Sequence, residues 1–134
     1  MSDRLFSAAM LSFALALSVP VAAQSPVQSK RVQFAPGKSS ATITGTLKGE
    51  QTIDYLVGAK AGQTLSVSFK TSNPSGYFNV LPPTGDTAIF IGSSDGNSFT
   101  GKLPASGDTR VRVYLMRNAA RRNEGTNYTL TIGG

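Results

Sequence analysis

The run Thr64-Leu65-Ser66-Val67-Ser68-Phe69-Lys70-Thr71 alternates apolar and polar residues without a break. A period of two puts Leu65, Val67 and Phe69 on one face and Ser66, Ser68 and Lys70 on the other, the pattern of a strand with one side on a core and one in water. The same alternation recurs outward in both directions. Before it, Ser39 to Lys48 places Ala41, Ile43 and Leu47 opposite Thr42, Thr44, Thr46 and Lys48, with Gly45 interrupting the buried side at a bulge or a close sheet contact. Gln51 to Val57 sets Ile53, Tyr55 and Val57 against Thr52 and Asp54, and Arg31 to Ala35 alternates Val32 and Phe34 with polar neighbours.

After it come Tyr77 to Leu81, the short apolar Thr87 to Ile91, a weaker Ser98 to Leu103, then Arg110 to Met116 and Asn127 to Ile132. Turn formers separate them: Pro36-Gly37, Lys60 to Gln63, Ser72 to Gly76, Thr84 to Asp86, Gly92 to Asn97 and Pro104 to Asp108. About nine short strands punctuated by glycine and proline predict an all-β protein, a single antiparallel β-sandwich of jelly-roll type.

The N-terminus follows a different pattern. A polar start with Arg4, an apolar run from Leu5 to Val19, and Val21-Ala22-Ala23 make the plan of a secretory signal peptide, residues 1–23, cleaved after Ala23. The run is short for a membrane span, so the mature chain, 24–134, is expected to be exported to a periplasm or beyond and to leave the membrane. Removing 23 residues from 134 leaves 111, enough for one domain with one core. Gln24 to Ser29 is polar and reads as a loose lead-in. There is no cysteine, so packing rather than disulfides must hold an exported fold together.

Composition restricts the chemistry further. Without histidine or cysteine there is no histidine base, thiol nucleophile or zinc site of the usual kinds, and the acids are scattered along the chain. No catalytic residue, metal site or cofactor is expected. The net charge of +6 permits anionic partners without identifying one.

Arg110 to Glu124 concentrates that charge, holding five of the thirteen basic residues. Val111, Val113 and Leu115 form a strand face, after which the alternation stops and the nine residues 117–125 read as a long displayed connection. Its arginines have two readings. They are solvated charges with Glu124 neutralising Arg121 or Arg122, or Arg117, Arg121 and Arg122 offer forked donors to an anionic partner. Ala119 and Ala120 allow close approach, and Asn118 adds neutral donors and acceptors. In the turn-rich Ser72 to Asn79, alternation sends Tyr77 and Phe78 to opposite faces, so at most one belongs to the core: either this is an ordinary proline turn with Tyr77 or Phe78 buried, or Tyr77 sits on a rim and meets a partner with its ring and hydroxyl. A nucleic-acid partner is disfavoured, because aromatics are not interleaved with the basic cluster.

These residues carry a resemblance. Asp54-Tyr55, Ala61-Gly62-Gln63-Thr64-Leu65, Ser72-Asn73-Pro74-Ser75-Gly76-Tyr77-Phe78-Asn79 and Val113 to Arg122 resemble the periplasmic inhibitors of goose-type lysozyme, over most of the mature chain from Arg31 to Ile132. With Asn127-Tyr128-Thr129-Leu130-Thr131, the wider pattern is similar to bacterial pre-peptidase C-terminal domains, which are small β-sandwiches. The resemblance implies a periplasmic protein that blocks a goose-type lysozyme by inserting loops into its substrate groove. It assigns the contact to Arg117, Arg121 and Arg122, with Tyr77, Ser75 and Asn118 beside them. A second reading stays open, an accessory sandwich that binds an anionic envelope polymer or glycan through the same basic loop. So does a homodimer.

Overall fold

The computed structural model describes residues 27–134, so the signal-peptide assignment and residues 24–26 lie outside the described residues. The strands are β1 (Val27–Arg31), β2 (Ser40–Lys48), β3 (Thr52–Ala59), β4 (Thr64–Thr71), β5 (Gly76–Leu81), β6 (Phe90–Ile91), β7 (Ser98–Lys102), β8 (Gly107–Leu115) and β9 (Gly125–Gly133). Two short helices interrupt them, α1 (Gly92–Asp95) and α2 (Arg117–Arg121). The strands form a five-stranded sheet in the order β1-β3-β8-β5-β6 and a four-stranded sheet in the order β2-β9-β4-β7. This is the β-sandwich expected from the alternation, nine strands in two sheets. One ladder departs from the antiparallel rule, since β1 runs parallel to β3.

The inward sets meet face to face. Leu65, Val67 and Phe69 of β4 and Tyr128, Leu130 and Ile132 of β9 pack against Ile53, Tyr55 and Val57 of β3, Phe78 and Val80 of β5, and Val111 and Val113 of β8. An aromatic series crosses the gap between sheets: Phe90 stacks on Phe78 at 5.1 Å, Phe78 lies 5.7 Å from Phe69, and Phe69 lies 5.8 Å from Tyr128. Tyr128 also explains Gly45. Its hydroxyl bonds the Tyr55 hydroxyl across the core at 2.6 Å, and a Cβ at Gly45 would lie 2.5 Å from that oxygen. The glycine is the close contact expected at that position, and it makes room for a polar pair that would otherwise be buried without partners. Burial pushes the Tyr128 phenol well above its usual range, so it stays protonated.

Four local expectations fail. Arg31 to Ala35 is not a strand; pairing ends at Arg31, and the strand lies upstream in the stretch read as a loose lead-in. All five β1 residues are exposed, so the strand is held by backbone bonds to the edge of β3 and by the Arg31–Asp108 ion pair, and carries no alternating pattern to betray it. Val32 still enters the core, whereas Phe34 sits at the rim. Thr87 to Ile91 shrinks to Phe90–Ile91, because Arg110 reaches across from β8 to the carbonyls of Pro82 and Gly85 and holds that connection as a loop. The turn 92–97 contains the helical turn α1. The connection 117–125 is not an extended loop; it begins with α2.

Candidate partner-binding site

Three connections converge at one end of the sandwich: the β2–β3 turn at residues 49–51, the β4–β5 loop at 72–75, and α2 with its exit at 116–124. Each is tied to another by hydrogen bonds. Gly49 N–H donates to the Glu124 carbonyl at 2.8 Å, and Met116 N–H donates to the Ser75 carbonyl at 2.9 Å. The Asn73 amide donates to Glu124 Oε1 at 3.0 Å and to the Gly125 carbonyl at 3.1 Å. Glu124 joins all three. Its second oxygen accepts from Arg122 Nε at 2.8 Å, and the Asn73 amide and then the Arg122 guanidinium hold its carboxyl below the usual carboxylate range.

The helix forms despite its shortness because it is closed at its C-terminal end. Asn123 takes a left-handed φ of 58°, Asn123 N–H returns to the Ala120 carbonyl, and Glu124 N–H returns to the Ala119 carbonyl. That pair of bonds around a left-handed residue is a Schellman ending, with asparagine in the place usual for glycine. Ala119 and Ala120 are buried against the sandwich. Their small side chains let the helix lie close, and Arg117, Asn118 and Arg121 are left on the exposed side.

The sequence-derived contact residues are all gathered at this end, but not in equal roles. Arg117 and Arg121 open and close α2, four positions apart on the face of one helical turn. Among the described residues neither has a carboxylate partner. Arg122 is paired with Glu124, as one reading of the sequence anticipated. Asn118 turns its side-chain oxygen to its neighbour's Ala119 N–H, 2.9 Å. Ser75 N–H bonds Asn73 Oδ1, and so shapes the loop through its backbone. Tyr77 is half-buried on the outer face of β5 while Phe78 is fully buried.

Sequence reasoning missed what lies next to Tyr77. Register places Tyr77 opposite Tyr114 and Asn79 opposite Arg112, with the tyrosine rings 6.2 Å apart. The Tyr114 hydroxyl donates to Asn79 Oδ1 at 3.0 Å, and burial raises its pKa. An open groove of about 410 Å³ runs here, with Glu50, Gln51, Asn79, Arg112, Tyr114 and Arg117 among its lining. The outward position of Tyr114 was legible, but its pairing with Tyr77 was not, because the two lie 37 positions apart along the chain. Met116, half exposed beside Arg117, adds an apolar contact that no pattern had marked.

Two other arginines of the same stretch are structural. Arg112 grips Asp54 through two bonds of 2.7 and 2.9 Å, and Arg110 is spent on the Pro82 and Gly85 carbonyls. No group of three potential metal ligands occurs among the described residues, and no described helix is long and apolar enough to cross a membrane.

A β-sandwich that presents a locked cluster of loops, with exposed arginines beside half-buried tyrosines, defines a class: a scaffold that displays a partner-binding surface. Comparison with known proteins makes the class specific. The chain is 34% identical over 126 residues to the inhibitor of g-type lysozyme of Escherichia coli K12, covering 92% of each, and it belongs to that family. The crystal structure of the Aeromonas hydrophila periplasmic inhibitor of g-type lysozyme, PliG, superposes with a TM-score of 0.74 at 37% identity, over 82% of this chain and 98% of that one. The Salmonella Typhimurium PliG gives 0.61 at 25% identity, over 79% and 96%. A pre-peptidase C-terminal domain of a Bacillus anthracis collagenase shares the fold, with a TM-score of 0.55 at 16% identity, over 84% and 99%. No family model matches the chain.

Proposed function

We propose that this protein is a periplasmic inhibitor of g-type lysozyme, delivered by residues 1–23 and acting through the end of the sandwich that carries α2. The observation that supports this most is the pair Arg117 and Arg121: two cations without carboxylate partners among the described residues, on a helix locked to both neighbouring loops, in a chain that belongs to the inhibitor family. A lysozyme must protonate a glycosidic oxygen with a carboxylic acid set in a groove. An arginine fork laid against that acid holds it ionised and fills the space of the sugar. Tyr77 and Tyr114 supply rigid flanking surface, Met116 an apolar contact, and Asn118 and Ser75 polar contacts at the rim. Arg122 acts chiefly by holding Glu124, and so supports the helix that presents the other two.

Preorganisation is what makes such a short insertion effective. The three loops are bonded to one another before any partner arrives, so little ordering cost remains at association. The test is lysis of peptidoglycan by a g-type lysozyme with and without residues 24–134, with a chicken-type lysozyme as control. Selective inhibition, weakened in an Arg117→Ala, Arg121→Ala, Arg122→Ala variant, is expected. A folded protein that fails to inhibit at micromolar concentration would overturn the reading.

A further inference from the structure

The outer face of the four-stranded sheet has a composition of its own. Every outward position on β2, β9, β4 and β7 is serine, threonine, asparagine, lysine or glycine. Cross-strand rows are continuous: Thr42, Thr131, Ser68 and Ser98 face one another across all four strands, and Thr44, Thr129 and Lys70 across three. None of the four strands contains an aspartate or glutamate, and the charges on the face are the exposed Lys48, Lys70 and Lys102. Ser66 and Thr100, 3.3 Å apart, form the one hydroxyl–hydroxyl bond among the described outward strand residues of this face, while at its edge the Ser72 hydroxyl is engaged with Thr126 and the Asn127 N–H.

Open depressions cross the face. An open groove of about 580 Å³ has Thr44, Thr46, Lys70, Ser72, Asn127 and Thr129 in its lining. Through Thr46, Ser72 and Asn127 it continues into a trough of about 330 Å³ that reaches Lys48 and Gln51. A further hollow of about 320 Å³ lies over Ser66, Ser68, Ser98 and Thr131 on the same face. Nine-residue strands at about 3.3 Å per residue make the face roughly 30 Å long, the dimension of an extended polymer rather than a small molecule.

We propose that this face is a second binding surface, whose ligand is an anionic glycan strand. A protein partner would need an apolar or aromatic anchor, which no outward side chain here provides. A glycan asks for the opposite: many weak donors and acceptors spread over a long groove, with cations placed for its carboxylates. No carboxylate stands on the four strands to neutralise Lys48, Lys70 and Lys102, whereas on the five-stranded sheet Arg31 and Arg112 are already paired with Asp108 and Asp54. No residue of α2 lines this surface, although its trough ends at Ser72 and Gln51 beside the α2 end of the sandwich, and the proposal does not rest on inhibition.

Co-sedimentation with isolated peptidoglycan sacculi, a glycan that bears carboxylates, tests it. Four proteins are compared, each checked for an unchanged melting transition: the mature chain, a Lys48→Glu, Lys70→Glu, Lys102→Glu variant, the arginine-loop triple alanine variant, and a Thr44→Val, Thr129→Val variant. The mature chain and the loop variant should sediment alike, and the lysine variant should bind at least tenfold more weakly while retaining inhibition of lysozyme. A Thr44→Val, Thr129→Val variant should lose severalfold through its hydroxyls alone. Equal retention on neutral chitin or on DNA-cellulose, loss in the loop variant, or no sedimentation of the mature chain would each overturn the proposal.

Discussion

Arg112 and Arg117 stand five residues apart, both on the outer side of the same element or just past its end, and they do different work. Arg112 is held in two bonds to Asp54, which is 4% exposed, and belongs to the architecture of the sheet. Arg117 begins a helix whose alanines are buried and has no carboxylate partner among the described residues. The contrast teaches that a local density of arginine identifies a basic stretch but not a binding site. What separates structural from functional cations is whether the fold supplies a counter-charge within reach.

The sharpest way to break this contrast is Arg112→Ala. It strands a buried carboxylate, and the expected loss is about 3 kcal/mol or somewhat more in urea unfolding. A double Asp54→Leu, Arg112→Leu variant should recover most of it, since removing both charges avoids the unpaired one. If the single variant unfolds like the parent, Arg112 is no more structural than Arg117 and the distinction collapses.

Next in size is the opposite case. Arg117→Ala or Arg121→Ala should each weaken inhibition by about 2 kcal/mol, roughly thirtyfold, as for a hot-spot arginine. Stability should stay within about 0.5 kcal/mol, because exposed sites away from special features tolerate change and two like charges four apart on a helix repel weakly. Titration of lysozyme activity beside a melting curve distinguishes the two effects. A fall in melting temperature that tracks the loss of inhibition would mean that these arginines hold α2 in place instead.

Gly45→Ala probes the core away from both regions. A Cβ there would collide with the Tyr128 hydroxyl and disturb its bond to Tyr55, so a loss of about 1 to 2 kcal/mol is expected. Inhibition per folded molecule should not change. A Tyr128→Phe partner substitution that rescues the alanine would identify the hydroxyl as the point of collision.

The smallest effect is the dependence on pH. Glu124 is held below its usual value of 4.5 by Asn73 and then Arg122, a carboxylate whose native pKa is depressed. Its contribution is therefore fully present above that value and is lost as pH falls through the lower native one. Urea midpoints taken from about pH 6 down to about pH 3 should decline, and Glu124→Gln should reduce the decline. An unchanged pH profile in that variant would show that Glu124 does not join the three loops in solution.

The sandwich was legible because a period of two is a local property. Leu65, Val67 and Phe69, or Val111, Val113 and Leu115, declare their buried face without reference to any other strand. β1 was not legible for the complementary reason. It buries no side chain; apart from the exposed Arg31–Asp108 ion pair its bonds are main-chain, and main-chain bonding leaves no mark on residue type. α2 escaped because five residues are too few to display a helical period, and its closure depends on Asn123 meeting Glu124 and Ala120 in space.

The amino-acid sequence by itself determined the fold class, the family, and the segment from which the arginines come, since alternation, turn residues and motif spacing are all read along the chain. Which of those arginines is paired, that Tyr77 and Tyr114 lie side by side, and that hydroxyl rows align across four strands were decided only by the tertiary structure. Pairing of charges, register and the assembly of a face depend on strands distant in sequence becoming neighbours, and no local pattern encodes that.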